Sequence, residues 1–447
     1  MKLTRLLLPL FLLLIALPGY ADDNPEKAPA DAKSGKVFVW HSEAGVPYEY
    51  YVPKSYDPEK GANLTVVLHG NGLDHRWTFW NHPAGEFRDQ DIVVSPDAVS
   101  EINGNREFIQ SKEEVDGFKA LLQELKAQWN IRQTFLYGHS QGSFFVFLFA
   151  GEHPEEVDGV CGHASGSWIG TQYGKPVHDV AIGIMHGTDD HLSYSQSWYT
   201  RQTYEEAKHP MVHLRTLFDW PHRPNYYQAQ SVIDWCEGMT TTDPERLTEI
   251  VEGLSDTKRP MGVDWSGLWQ VSNRLAEMDG ATPKQSGLGK RVAEAVDALS
   301  AKHIAKIEKG APKGKLNALD GKPWAGHLIR LHEDFRGVPS FDAFRKKHKS
   351  DFKKLDGAPE RLLKDYWRKK DSDKTAALTL GLDLLSTGFL NYQCVEIAGE
   401  LEATFNDRKK LKLPKSVLKR ERLIENYRSA REKGFKDFES LNKKAKL

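Results

Sequence analysis

Cysteine is scarce in this 447-residue sequence, which contains only Cys161, Cys236 and Cys394. Small secreted scaffolds held together by disulfides have a far higher cysteine content, so that class is excluded. No Cys/His cluster has the spacing of a zinc site. An oxidising compartment would still permit one bridge, and Cys161 and Cys236 are the pair that falls within one predicted domain.

Net charge and long apolar runs are also lacking. The formal net charge is −1, so the overall charge favours neither nucleic acid nor a membrane surface as a partner. The apolar run at residues 6–17 is too short to span a bilayer comfortably. We therefore expect no nucleic-acid partner and no membrane span.

The first 21 residues have the pattern of a cleaved secretory signal. Lys2 and Arg5 precede the apolar run, and small residues up to Ala21 provide a cleavage site before Asp22. No Cys follows the run, so a bacterial lipid anchor is not indicated; an uncleaved signal anchor is the alternative. We expect a secreted or periplasmic protein with a disordered N-terminal segment over residues 22–35.

Strand and helix patterns alternate over residues 36–240. The predicted strands are residues 36–40 and 46–52, as a hairpin, and then 64–68, 91–95, 134–137, 159–162, 180–185 and 212–218, with helices at 113–129 and 226–236. This alternation predicts an α/β fold with a doubly wound, mostly parallel sheet. Catalytic groups on such sheets lie in loops at the carboxyl ends of the strands.

The sequence contains one Gly-x-Ser-x-Gly, at Gly138-His139-Ser140-Gln141-Gly142. The spacing is typical of a nucleophile elbow, in which the Ser lies on a strained turn between a strand and a helix. The flanking Gly residues fit because strand and helix cross closely there. The apolar run 144–149 has the composition of a strand, so a Gly-Ser turn between two strands is the alternative; the elbow predicts a helix.

Other polar groups follow neighbouring strands. His69-Gly70-Asn71-Gly72 follows the strand at 64–68, the pair Asp189-Asp190 follows the strand at 180–185, and His222 follows the last strand. A Ser hydroxyl needs a His to take its proton, and the His needs a carboxylate to fix its tautomer. Ser, Asp and His occur here in the chain order that belongs with the elbow.

These motifs resemble the α/β-hydrolase superfamily and, more narrowly, secreted esterases of the polyhydroxybutyrate-depolymerase and feruloyl-esterase type. The resemblance implies Ser140 as nucleophile, Asp190 as acid and His222 as base. It also implies backbone oxyanion donors at Gln141 and at Asn71 or Gly72, with no cofactor or metal. Those esterases commonly place Gly before the catalytic His, whereas Trp220 and Pro221 precede it here.

Alternatives stay open at two of these positions. Asp189 and Asp219 are the rival acids, and His209 is the main rival base. His213 alternates within a predicted strand, which favours a packing role over catalysis.

The second half, residues 241–447, is dominated by helical periodicity and contains no catalytic motif. Asp243 and Pro244 have the pattern of a helix start. From residue 407 onward the chain carries 15 Lys and Arg against 6 Asp and Glu. We expect a helical accessory domain with a basic C-terminal tail, which is either a surface for anionic polymers or a solvated helix face.

Together these observations predict a serine hydrolase that cleaves carboxylic esters through an acyl-enzyme on Ser140. The expected substrate is a small-molecule or polysaccharide-linked ester. The alternatives are a serine peptidase of the dipeptidyl or prolyl type on the same fold and a non-catalytic binding protein. The oligomeric state is not indicated by the sequence.

Overall fold

The computed structural model describes residues 35–102, 104–166, 179–187, 190, 194–217, 220–258, 262–310, 331–356, 358–386 and 415. The predicted signal segment, all but the last residue of the predicted disordered segment and nearly all of the basic tail lie outside these residues. So do Asp189, Asp219 and Cys394.

An eight-stranded sheet forms the centre of the first half. The strands are β1 (Val37–His41), β2 (Pro47–Tyr51), β3 (Ala62–Leu68), β4 (Ile92–Pro96), β7 (Ile131–His139), β8 (Gly159–His163), β9 (Ala181–Gly187) and β10 (Val212–Leu217), while β5 (Glu101–Ile102) and β6 (Asn105–Arg106) form a separate hairpin. The order across the sheet is β1-β2-β4-β3-β7-β8-β9-β10. β2 pairs antiparallel with β1 and β4, and the other neighbours are parallel. The prediction of a mostly parallel sheet is confirmed.

Both faces of the central strands are buried. Successive side chains point to opposite faces of a strand, so Val66 and Val67 belong to two different hydrophobic clusters. Leu136 and Tyr137 of β7 likewise belong to different clusters. This explains why these strands are continuously apolar rather than alternating in polarity.

Helices cover both faces of the sheet. They are α1 (Trp77–Asn81), α2 (Lys112–Gln128), α3 (Gln141–Glu152), α4 (Tyr194–Glu206) and α5 (Tyr226–Thr240). Residues of α2, α3 and α4 belong to one cluster and residues of α5 to the other. The apolar run 144–149 is helical, as the elbow predicted, and Phe149 packs edge-on against Phe118 of α2 at 4.8 Å between ring centroids.

The second half is helical in its described part. It contains α6 (Pro244–Leu254), α7 (Trp265–Glu277), α8 (Pro283–Gly310), α9 (Pro339–Lys347), α10 (Lys349–Asp356), α11 (Ala358–Lys370) and α12 (Lys374–Ser386). The Asp243 side chain caps α6 by accepting from the Glu245 backbone N–H at 2.9 Å, as its position predicted. Within the described ranges, no helix combines the length and apolarity needed to cross a membrane.

Helices α6 to α9 share a core with the sheet. Leu247, Val271, Val296 and Phe341 belong to the same hydrophobic cluster as Trp235 of α5 and the sheet residues beneath it. One of the two cores of the sheet therefore continues into the helical half. The predicted domain boundary near residue 240 therefore runs through this core, which contains residues from both sides of it.

Buried polar contacts also join the two halves. His213 of β10 hydrogen-bonds through Nε2 to Asp264 Oδ2 at 2.6 Å. Against the cost of burial, His213 lowers the pKa of Asp264 to about 2. Thr216, further along β10, donates to Glu333 Oε2 at 2.7 Å. Breaking a buried pair of this kind costs about 3–5 kcal/mol, so the second half contributes directly to the position of the last strand.

A buried arginine connects the segment just before β4 to α5. Arg88 donates from Nε to Asp91 at 2.7 Å, from Nη2 to Glu237 at 2.7 Å, and from Nη1 to Asp234. Against the cost of burial, Arg88 and Arg246 lower the pKa of Glu237 to about 2. The charges are buried but compensated, which is the condition under which buried ions are tolerated.

Cys161 and Cys236 lie in one hydrophobic cluster, as expected, but they are free thiols rather than a disulfide. Cys236 Sγ points towards the backbone carbonyls of Val160 and Ala181, at 3.6 and 3.8 Å. Burial raises the pKa of both thiols, so neither has the thiolate character that disulfide exchange requires.

Buried histidines make stability depend on pH, and His82 and His186 illustrate the size of the effect. Burial lowers the pKa of His82 and of His186 to about 4, whereas the unfolded value is about 6.5. The unfolded chain therefore binds more protons below about pH 6.5, and stability falls as pH falls towards 4.

We expect acidification from pH 7 to pH 5 to lower the free energy of unfolding by about 2 kcal/mol for each of these histidines. Urea unfolding at the two pH values measures this. Paired carboxylates such as Glu237 lose their contribution to the free energy of unfolding only at pH values below this range of 7 to 5. Equal or higher stability at pH 5 would contradict the neutral burial of His82 and His186.

Removing the second half should prevent the first from folding. A chain of residues 35–241 would expose the face of α5 that packs on α6 and α7, including the approach of Gly238 to Val271. We expect no cooperative thermal transition for this fragment, in contrast to the full chain. A fragment with a melting temperature within a few degrees of the full chain would support an independent first domain instead.

Candidate active site

Ser140 lies on a strained turn between β7 and α3. Its φ and ψ are 55° and −114°, a conformation that costs a non-glycine residue about 1–3 kcal/mol. A β-carbon on Gly138 would lie 2.2 Å from the Gly142 carbonyl oxygen, and one on Gly142 would lie 2.6 Å from the Leu68 carbonyl oxygen. Only glycine fits at either position, because the obstructing atoms are backbone. The Ser140 N–H donates to the His163 carbonyl at 2.9 Å, which anchors the turn to β8.

Two loops bring a carboxylate and an imidazole to this turn. Asp190 follows β9 and His222 follows β10, and these parallel strands end at the same level because Leu217 pairs with Gly187. A β-carbon on Gly187 would lie 1.9 Å from the Trp220 carbonyl oxygen. The loop after β10 therefore crosses directly over the end of β9, and Gly187 is what permits the crossing.

The three side chains form a continuous hydrogen-bonded chain. His222 Nε2 lies 3.0 Å from Ser140 Oγ, and His222 Nδ1 lies 2.9 Å from Asp190 Oδ2. The Asp190 side chain is fully buried, whereas 27% of the His222 side chain is exposed. With Nδ1 protonated towards Asp190, Nε2 can accept the serine proton, which is the arrangement that general-base activation requires.

The rival histidines lie elsewhere. His209 precedes β10 and so lies at the opposite end of that strand from His222; its Nδ1 accepts from the Met211 N–H at 3.1 Å. His213 is bonded to Asp264 in the core. The structure thus brings Ser140, Asp190 and His222 together and leaves both rivals outside the site.

The expected oxyanion donors flank Ser140 on two sides. Gln141 begins α3, and N–H groups in the first turn of a helix have no acceptor within it. On the other side, a β-carbon on Gly70 would lie 3.2 Å from Ser140 Cβ, so the loop with Asn71 and Gly72 passes close to the serine. Gly72 has a φ of 70°, which favours glycine at that turn.

The side chains of two of these residues meet a carboxylate that the sequence did not predict. Glu107 Oε2 accepts from Asn71 Nδ2 at 2.6 Å and from Gln141 Nε2 at 3.0 Å. Glu107 lies in an irregular segment after the β5–β6 hairpin and has no motif of its own. Sequence reasoning therefore had no signal with which to find it.

Neutral imidazoles line the back of the site. The His139 ring lies 5.1 Å from the rings of both His222 and His163, measured between centroids. Burial first, and the neighbouring histidines second, hold the pKa of His139 and His163 well below the usual range. The wall behind His222 therefore adds no fixed charge that would oppose its protonation.

A family model described as serine aminopeptidase S33 (Hydrolase_4) matches residues 100–203, about a quarter of the chain. That match contains Ser140 and Asp190 but ends before His222. No curated protein matches the sequence significantly.

Several solved structures are similar at low identity. A thermostable esterase is 19% identical over 41% of this chain with a TM-score of 0.33, and the chain spans 54% of its length. A Bacillus cereus carboxylesterase is 17% identical over 44% of this chain and 95% of its own, with a TM-score of 0.36. A ferulic acid esterase from Anaeromyces mucronatus is 14% identical over 47% of this chain and 92% of its own, with a TM-score of 0.34.

The mostly parallel sheet, the strained turn at Ser140 and the family match over residues 100–203 agree with one another. The first half of the chain therefore has the α/β-hydrolase fold.

Proposed function

We propose that the protein is a serine hydrolase that cleaves carboxylic esters through an acyl-enzyme on Ser140. The observation that carries the proposal is the position of His222, which lies 3.0 Å from Ser140 Oγ and 2.9 Å from Asp190 Oδ2. A serine hydroxyl is a weak nucleophile without such a base.

In the first step, Ser140 Oγ attacks the ester carbonyl carbon while its proton passes to His222 Nε2. Asp190 holds the imidazole in the correct tautomer and stabilises the imidazolium. The carbonyl oxygen becomes an oxyanion, for which the Gln141 N–H and an N–H from Asn71 or Gly72 are the proposed donors.

In the second step, His222 returns the proton to the departing alcohol, which leaves the acyl group on Ser140. A water molecule then attacks this ester with His222 again acting as base, and His222 passes the proton taken from water to Ser140 Oγ as the acid leaves, which restores the free serine. The whole cycle consumes one water and needs no cofactor.

The peptidase alternative has one observation in its favour, the description of the family model that matches residues 100–203. Ester cleavage is preferred because the motifs around His69, Ser140 and His222 resemble those of secreted esterases. The leaving group separates the two functions, since an alcohol leaves the tetrahedral intermediate more readily than an amine does. Turnover of chromogenic short-chain acyl esters without turnover of aminoacyl amides would support the esterase, and the reverse result the peptidase.

The triad assignment is tested by substitution. Ser140→Ala and His222→Ala should each lower kcat on a chromogenic ester on the order of 10³-fold or more, because the triad acts as a unit. Asp190→Asn should also lower it heavily, since the buried carboxylate holds the imidazole tautomer. The measurement is steady-state kinetics, with circular dichroism to confirm folding.

Matched controls come from the rival residues. His209→Ala and Asp189→Asn should both retain kcat/KM within about tenfold, a cost of roughly 1.4 kcal/mol or less. An inactive but folded His209→Ala variant would move the base, and a larger loss in Asp189→Asn than in Asp190→Asn would move the acid by one residue.

Export is part of the proposal, based on the N-terminal charge and apolar pattern described above. Intact mass measurement of protein recovered from the export compartment should give a chain that begins at Asp22. Recovery of the chain with its first 21 residues intact would contradict cleavage.

A further inference from the structure

A carboxylate that ester hydrolysis does not require contacts the residue that follows the proposed nucleophile. Glu107 Oε2 accepts hydrogen bonds from the side-chain amides of Asn71 and Gln141. Gln141 directly follows Ser140, and Asn71 directly follows Gly70, whose backbone packs against Ser140. Glu107 therefore bridges the two loops that frame the serine, on the side where the oxyanion donors are expected.

The segment that carries Glu107 is anchored on both sides. The Glu107 N–H donates to the Ser100 carbonyl at 3.1 Å. The next residue, Phe108, is fully buried, and its ring lies 4.9 Å from the His69 ring between centroids. Glu107 itself is partly exposed. Its carboxylate is thus held at a defined place and can still be reached from solvent.

Glu107 has no cationic partner in the part of the chain that the structure describes. Both of its hydrogen-bond donors are neutral amides. The adjacent Arg106 directs Nη1 to the carbonyl oxygens of Ala98 and Val99, at 3.2 and 3.1 Å. The negative charge of Glu107 is therefore not offset by an ion pair and acts on whatever occupies the site.

A fixed negative charge at this position disfavours the oxyanion but attracts a cationic substrate. It opposes the negative charge that develops on the carbonyl oxygen, so a neutral amide would serve a neutral substrate at least as well. The same charge attracts a cation and repels an anion, with an energy that falls as the distance and the salt concentration rise. When the substrate carries a positive charge close to the scissile ester, the attraction between that charge and Glu107 favours binding and reaction.

We propose that Glu107 is a specificity-determining residue that selects esters carrying a positive charge near the scissile carbonyl and disfavours esters carrying a negative charge there. The proposal rests on the serine hydrolase function proposed above. It assigns the chemical class of substrate, a cationic ester, that the triad itself leaves open.

The test uses three aryl esters of nearly equal shape, made from 4-(trimethylammonio)butyrate, 5,5-dimethylhexanoate and 4-sulfobutyrate. A second series places the same three groups on the alcohol side of an acetate ester. kcat/KM is measured for the full-length wild type, for Glu107→Gln and for Glu101→Gln. Glu101 is an exposed carboxylate on the preceding hairpin and serves as the matched control for a change in net charge.

In at least one series, we expect the wild type to prefer the cationic over the anionic ester by tenfold or more. Glu107→Gln should reduce that ratio about tenfold, and Glu101→Gln should leave it within about twofold. The ratio is the readout because Glu107 also holds Asn71 and Gln141, so absolute rates will change as well. Raising the salt concentration to about 1 M should shrink the wild-type ratio, a check that needs no variant.

An equal cationic-to-anionic ratio in the wild type and in Glu107→Gln, in both series, would overturn the proposal. So would a loss in Glu107→Gln by the same factor for all three esters, because that result assigns Glu107 a purely positioning role. Absence of turnover of every ester by the wild type is a distinct result, which overturns the proposed serine hydrolase function and this inference with it.

Discussion

The close crossing of three backbone segments at Ser140 is the constraint on which the rest of the site depends. The end of β3, the end of β7 and the start of α3 approach so closely that Gly138 and Gly142 cannot carry a side chain. This crossing forces Ser140 into its strained conformation and projects it above the sheet. The strain is tolerated because buried strands and an apolar helix on either side hold the turn.

Close backbone packing also brings Asp190 and His222 to the serine. Gly187 allows the loop that carries His222 to cross the end of β9, where Asp190 lies buried. The strand that leads to this loop is held from the second half of the chain, by Asp264 on His213 and by Glu333 on Thr216. The helical half therefore contributes to the position of the proposed base, although none of its described residues hydrogen-bonds to the Ser140 hydroxyl.

Local patterns predicted most of the sheet, and they singled out Ser140, Asp190 and His222, which the structure brings within hydrogen-bond distance of one another. The strands are continuous apolar runs, the elbow has its glycines at fixed spacing, and Asp190 and His222 follow strands that end at one edge. The helical state of residues 144–149 came from the elbow and not from composition, since aromatic and β-branched residues favour strands. Close packing of α3 on the sheet overrides that preference.

Features that depend on contacts distant in sequence could not be predicted. Glu107 meets Asn71 and Gln141, residues 36 and 34 positions away, through side chains with no characteristic spacing. The periodicity around Val271 indicates an amphipathic helix but not the surface that it covers, so the shared core was missed. The two cysteines illustrate the same limit, because a shared domain does not determine whether two thiols point at each other.

The central claim is that Ser140 is an activated nucleophile, and covalent labelling tests it most directly. The folded full-length protein would be treated with a fluorophosphonate, its intact mass measured and the modified peptide sequenced. The account predicts one equivalent of label, located on Ser140. Folded protein that takes up no label, or that carries it on a different residue, would contradict the account.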